Sequence, residues 1–217
     1  LLRPRDRRKD QTYFLYHIET DALPRILFPL GPYTKEEVRA IASRAGLPVA
    51  AKAESQDICF VTQKTYHDFM KARLGEIKPG RIVDRSGRCL GEHRGIAFYT
   101  VGQRGGLGIS HPVPLYVLAI DVAKSEIIVG EKGELLGKEL IAGDLNRLRP
   151  DWPEAVQAKI RYRKKESPCR VTFEDGRARV VFEDDQEAIT PGQSIVFYDG
   201  DGVLGGGVIE EVIHGDR

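Results

Sequence analysis

Two stretches carry side chains that could do chemistry. In AESQDICFVTQ, residues 53–63, one thiol, Cys59, stands between Ile58 and Phe60 behind the polar run Glu54-Ser55-Gln56-Asp57. In KIRYR, residues 159–163, alternation along an extended chain puts Lys159, Arg161 and Arg163 on one face and Tyr162 on the other. A cysteine reacts as its thiolate, which needs partial exposure and an electropositive neighbour, such as Lys52 or Lys64. The same residue type is also among the most buried small hydrophobes. The residues alone divide Cys59 evenly between those two readings. A basic row can follow phosphates, and Tyr162 reaches a base only if a twist or an edge position brings it round.

Other chemistries find little support. Cys59, Cys89 and Cys169 are odd in number and far apart, with no CxxC, so neither a disulfide framework nor a metal site is indicated. Cys89 reads as a packed strand residue. His17, His67, His93, His111 and His214 form no i, i+4 pair and read as surface or satisfied core histidines. No G-x-S-x-G elbow occurs. Two glycine-rich stretches, YTVGQRGGLGISHPVP and DGDGVLGGGV, invite a phosphate-loop reading. Pro112 and Pro114 deny the first its helix and the second lies between strands, so both read as tight turns and close backbone approaches.

The net charge is only +1, but its distribution is uneven. RPRDRRK (3–9) holds five basic residues against one acidic, and KIRYRKKESPCR (159–170) six against one. Such asymmetry suits a phosphate-binding face, although charge alone favours a solvated surface stripe. No apolar run approaches a membrane span and no signal-peptide pattern opens the chain, which predicts a cytoplasmic protein with no membrane partner. The chain starts at Leu1, runs straight into the basic segment and reads as a piece of something longer.

Several elements must position these residues. TKEEVRAIASRAG predicts a helix with a Thr34–Glu37 capping box, an apolar face of Val38, Ile41, Ala42 and Ala45, and a stop at Gly46. QTYFLYHI reads as a helix or buried strand, ETDALPRIL as a short helical segment, and KTYHDFMKARLG as another helix. From about residue 80 the period becomes two. GRIVDRSGRCLGE and LYVLAIDVAKSEIIVGE predict hairpins. After the proline-containing NRLRPDWP, two further hairpins turn at Asp175-Gly176 and Asp201-Gly202, suggesting a small closed barrel.

Taken in order, KDQTYFLY, LFPLGPYTKEEVRAIA, ESQDICFV, LGEHRGIAFYTVGQRGGLGI, KIRYRKKESPCRV and TPGQSIVFYDGDGVLGGGVI closely resemble the tRNA-specific 2-thiouridylases. The resemblance covers essentially all 217 residues. It implies an enzyme that replaces the 2-oxygen of the wobble uridine in tRNA with sulfur. ATP and Mg2+ adenylate that oxygen, a cysteine persulfide delivers the sulfur, and a persulfide carrier or cysteine desulfurase supplies it. On the matching motifs, Cys59 bears the persulfide, while Lys9, Asp10, Gln11, Arg161, Tyr162 and Gln193 contact tRNA. The sequence departs from the family pattern in lacking the adenylating SGG-x-DS loop and the NP-D-x-x-C segment with its second cysteine. Asp57 and Gly105 replace a customary glycine and a customary basic residue. The implied layout is the α/β tail of a PP-loop catalytic domain (1–62), a small mainly-β central domain (63–148), and a C-terminal antiparallel β-barrel that binds tRNA (149–217). This chain alone is expected to hold no cofactor and to be inactive. The alternatives are a non-catalytic RNA-binding module with Cys59 in its core and, last, a tRNA methyltransferase, for which no glycine-rich adenosylmethionine site is present.

Overall fold

The computed structural model describes residues 1–51, 73 and 77–213. The strongest local signal forms as read. The Glu37 N–H donates to Thr34 Oγ1 at 3.3 Å and the Thr34 N–H to Glu37 Oε2 at 2.7 Å, opening helix α2 at Lys35–Arg44. Gly46, at φ 67°, closes it in a conformation that favours glycine. The segment QTYFLY supplies the short helix α1, Thr12–Leu15, and Leu23–Arg25 form one 3-10 turn. Cys59, and nearly all of the helix expected over KTYHDFMKARLG, lie outside the described residues.

The described residues fall into two compact units. The first takes those within 54–136 together with 186–189. Its two hairpins pair β1 (Gly80–Val83) with β2 (Cys89–His93), and β3 (Tyr116–Asp121) with β4 (Glu126–Gly130). A parallel β1–β4 ladder joins them into a sheet of order β2-β1-β4-β3, over a core of Ile82, Leu107, Val117, Ile127 and Val129. Cys89 is exposed, contrary to the packed position expected. A register shift between Ile82 and Val83 places Gly91 and Cys89 opposite them, and this irregularity carries Cys89 outside the core. His93 is a satisfied core histidine: Nδ1 accepts from the Gly95 N–H at 2.9 Å and Nε2 lies 3.0 Å from the Ser125 carbonyl.

The second unit takes the described residues within 1–53, 137–185 and 190–217. Its strands are β5 (Leu136–Arg147), β6 (Ala155–Lys159), β7 (Ser167–Glu174), β8 (Arg177–Glu187), β9 (Ser194–Asp199) and β10 (Gly202–Ile213). They close into a barrel of order β10-β5-β8-β7-β6-β9. Inward positions carry Leu140, Ala158, Val180, Phe182, Ile195, Phe197 and Ile209, all almost fully buried. Asp175 and Gly176 turn the β7–β8 hairpin, both at positive φ as a primed turn requires. The β9–β10 hairpin turns one residue earlier than expected, at Gly200-Asp201, because Asp199 pairs with Gly202. Residues 136–147, expected in the central domain, form β5 and stand between β10 and β8, where their backbone groups complete the ring.

The N-terminal residues are bound to this barrel. Leu2 bridges Gly202, the Val203 N–H donates to the Leu1 carbonyl at 3.1 Å, and the Arg3 N–H to the Asp201 carbonyl at 2.9 Å. The α1 helix follows. Tyr16 is fully buried with its ring on Gly206, where a Cβ would come within 2.6 Å of it. Its hydroxyl donates toward Ser194 Oγ at 3.0 Å and the Gly207 carbonyl at 3.2 Å. The glycine run in LGGGV is thus a close backbone approach, as read from the sequence. No helix among the described residues is long and apolar enough to cross a membrane.

Candidate nucleic-acid interface

The basic segment RPRDRRK is largely consumed by internal pairing. Arg3 donates from Nε to Asp10 at 2.9 Å and from Nη1 to Glu166 at 2.6 Å, and its guanidinium lies 4.7 Å from the Tyr198 ring centre. Arg5 pairs with Glu37, Arg7 with Asp201, and Arg8 with Asp6 and Glu36. The Asp6 carboxylate also accepts the Lys35 N–H at 3.2 Å, joining the turn Arg7–Lys9 to the start of α2. These ion pairs tie the segment to α2, to the β9–β10 turn and to Glu166.

Asp10 is turned inward. Oδ1 accepts from the Thr12 N–H at 2.8 Å and from Thr12 Oγ1 at 2.6 Å, while Oδ2 takes the Arg3 bond. Burial alone would raise its pKa, but the Thr12 and Arg3 hydrogen bonds outweigh burial and hold it below the usual aspartate value. Glu166 is likewise held low, its burial penalty overcome chiefly by the bond from Arg3. Burial lowers the Lys159 ammonium, against the opposing pull of Asp10 and Glu166. Tyr13 and Tyr198 are both pushed up to about 12 by burial, so they remain neutral hydroxyls.

With Asp10 anchored, Gln11 points outward and its Nε2 donates to Tyr162 Oη at 2.6 Å. Tyr162 packs against Phe14 with ring centres 4.8 Å apart and planes 38° apart, and Lys159 Nζ stands 5.6 Å from its ring centre. The row expected along KIRYR does not persist. Strand β6 ends at Lys159, and the Lys164 N–H donates to the Arg161 carbonyl at 3.1 Å, so residues 161–164 form a turn. That turn brings Tyr162 beside Lys159 instead of opposite it. Arg161 donates from Nη2 to Thr190 Oγ1 at 2.8 Å. Thr190 in turn accepts the Gln193 N–H at its carbonyl, so Arg161 reaches the exposed loop that carries Gln193. Tyr13 closes the circuit, its hydroxyl donating to the Ser194 carbonyl at 2.8 Å.

Of the residues named from sequence, Gln11 and Tyr162 meet directly, and Asp10, Arg161 and Gln193 join through Arg3, Thr190 and the loop backbone. Lys9 ends the turn preceding Asp10. Cys59 lies outside the described residues. Cys169 is buried, which pushes its thiol up to about 12 and leaves it inert. Sequence reasoning missed Phe14, which is 55% exposed although the aromatics around it, Tyr13 and Tyr16, are buried. It also missed Arg3 and Thr190, whose partners lie far away in the chain.

A closed antiparallel β-barrel that carries the exposed Phe14 on the half-buried Tyr162, with Lys159 beside the Tyr162 ring, defines the architecture of this unit. Family models agree with that architecture. The tRNA methyl transferase HUP domain matches residues 1–63, the tRNA methyl transferase PRC-barrel domain 67–131, and the aminomethyltransferase beta-barrel domain 138–209. The chain belongs to the family of tRNA-specific 2-thiouridylases. It is 56% identical over 214 residues to tRNA-specific 2-thiouridylase MnmA 1 of Syntrophus aciditrophicus (strain SB), covering 99% of this chain and 58% of that protein. It is 50% identical over 208 residues to the MnmA of Acetivibrio thermocellus, covering 94% and 58% respectively. The Moorella thermoacetica MnmA is also 50% identical, over 219 residues, with 98% and 61% covered. The chain therefore spans about three fifths of the length of these relatives.

Proposed function

We propose that this chain serves the 2-thiolation of tRNA, with its barrel and α1 segment holding the RNA and Cys59 carrying the sulfur as a persulfide. The observation that carries the reading is the Gln11–Tyr162 hydrogen bond. It unites two segments 151 residues apart that the family resemblance independently assigns to tRNA contact. The names of the relatives, tRNA-specific 2-thiouridylases, support the same substrate and reaction. In this reading Lys9, Gln11, Arg161, Tyr162 and Gln193 face the tRNA around its wobble uridine. Asp10 acts through Arg3 and Thr12 by holding Gln11 in place.

Cys59 accepts the outer sulfur of a donor persulfide, on a persulfide carrier or cysteine desulfurase, whose own thiol is released. That sulfur then bonds carbon 2 of a uridine activated at its 2-oxygen, which leaves with AMP. The thiol of the second cysteine, in the NP-D-x-x-C segment, attacks the Cys59 sulfur, forming a disulfide and freeing 2-thiouridine. The ATP and Mg2+ implied for uridine activation do not fit the residues present. The sequence has no SGG-x-DS loop, and among the described residues no group of three His, Cys, Asp or Glu side chains could hold a metal ion. Activation is accordingly assigned to residues other than these, and the 217 residues alone are expected to bind tRNA without thiolating it.

Cys59→Ser tests the reading. In an enzyme that also carries the SGG-x-DS and NP-D-x-x-C segments, the variant should lose 2-thiouridine formation entirely, read by nucleoside mass spectrometry, and keep tRNA affinity within about twofold. Persistent thiolation by the serine variant would remove Cys59 from the reaction and leave the barrel as an RNA-binding module.

A further inference from the structure

Helix α1 and its C-cap residue place three aromatics, Tyr13, Phe14 and Tyr16, within four positions, and their fates differ. Tyr13 and Tyr16 are buried, each with its hydroxyl bonded to the barrel, whereas Phe14 stays 55% exposed. Exposure alone assigns such a side chain no role, since single surface hydrophobics are ordinary, and a role for Phe14 has to come from what surrounds it. Its surroundings suggest one. The ring leans on Tyr162 at 4.8 Å, and Tyr13 meets its edge or face in a T-shaped contact at 5.5 Å. The Gln11 bond fixes Tyr162 from the hydroxyl end, and Lys159 lies against the same ring.

We infer that Phe14 is a further RNA-contacting residue, its exposed ring providing the stacking surface for an unpaired base of the tRNA. This rests on the tRNA-binding reading above. The chemistry is specific to an unpaired nucleobase, because an aromatic face beside a lysine offers a base its π-surface and the adjoining phosphate a cation. Held against Tyr162 and Tyr13, the Phe14 ring is already oriented, so a base docks without ordering a loose side chain. A duplex would present neither a free base face nor a reason for an aromatic at this place.

The test uses the full chain and an unmodified tRNA transcript bearing a wobble uridine, with affinity measured across a salt series. Phe14→Leu keeps the apolar bulk and removes the π-face; Phe14→Trp keeps the face. The leucine variant should bind roughly 5- to 100-fold more weakly at fixed salt, the range for one lost stack. Its slope of log affinity against log salt should match the parent's, because no phosphate contact is lost. The tryptophan variant should stay within about threefold of the parent. Equal binding by parent and leucine variants would overturn the assignment of Phe14 alone, as would equal weakening in the leucine and tryptophan variants. Failure of the parent chain to bind the transcript would overturn both this inference and the tRNA-binding reading.

Discussion

The Arg3–Asp10–Glu166 group shows how one buried cation can fix a surface residue it never touches. Arg3 is nine-tenths buried on its side chain and Asp10 more so; removing Arg3 strands the Asp10 carboxylate, while removing Asp10 leaves Arg3 with Glu166 alone. Asp10→Asn should cost about 3 kcal/mol at pH 7 in urea unfolding, the lower end for a broken buried pair. Asp10 and Glu166 both have depressed folded-state pKa values, so their contribution is complete above the ordinary 3.8 and 4.5. It is lost as pH falls through those values toward the lower folded ones. The parent's stability should therefore drop between pH 5 and 3 more steeply than that of Asp10→Asn, and parallel slopes would refute the linkage. At this scale the sequence was a partial guide. It marked Gln11 and Tyr162 through resemblance, but could not announce that Asp10 faces inward, since Arg3 and Glu166 are 163 residues apart. Nor could it single out Phe14 from the aromatic neighbours that pack as core.

At the scale of elements, short-range rules served well wherever the determinant was itself short-range. The Thr34–Glu37 box needs three residues and the Asp175-Gly176 turn needs two, and both form as read. The alternation in KIRYR failed at Lys159 because a strand persists only while it has neighbours. β6 pairs with β7 as far as Ala158 and with β9 as far as Lys159, and the chain then turns. Cys89 departed for a related reason, a register irregularity with no signature in GRCLG. Docking of α1 depends on Gly206 as much as on Tyr16. Gly206→Ala would put a methyl group 2.6 Å from the Tyr16 ring and equally near the Ile195 carbonyl, one of which must move. Overpacking of this kind costs about 1–3 kcal/mol. The variant should unfold at correspondingly lower urea and bind tRNA more weakly as Gln11 loses its register. Unchanged stability would mean that α1 does not rest on this strand.

For the molecule as a whole, the all-β character of residues 80–213 was plain from period and turns, but barrel membership was not. The layout implied by the resemblance places residues 136–147 with the central domain, and only the ladder of β5 with β10 assigns them to the ring. A fragment starting at residue 149 would lack that strand and expose the edges of β10 and β8. It should show no cooperative thermal transition. Starting at residue 137 and supplying residues 1–51 in trans should restore one, and a cooperative melt from the shorter fragment would show that β5 is dispensable to closure.

Residues 1–16 and β9–β10 depend on each other across almost the whole chain, and this sets a timetable. Tyr16 meets Ser194, 178 positions further along the chain. At a synthesis rate of roughly 5–20 residues per second, the ring waits about 10 to 40 s for the strands that will cover it. Throughout that wait Tyr13, Phe14 and Tyr16 are exposed together on a nascent chain, and Arg3 has not yet met Glu166. The surface assigned to RNA is assembled only when β10 completes the ring.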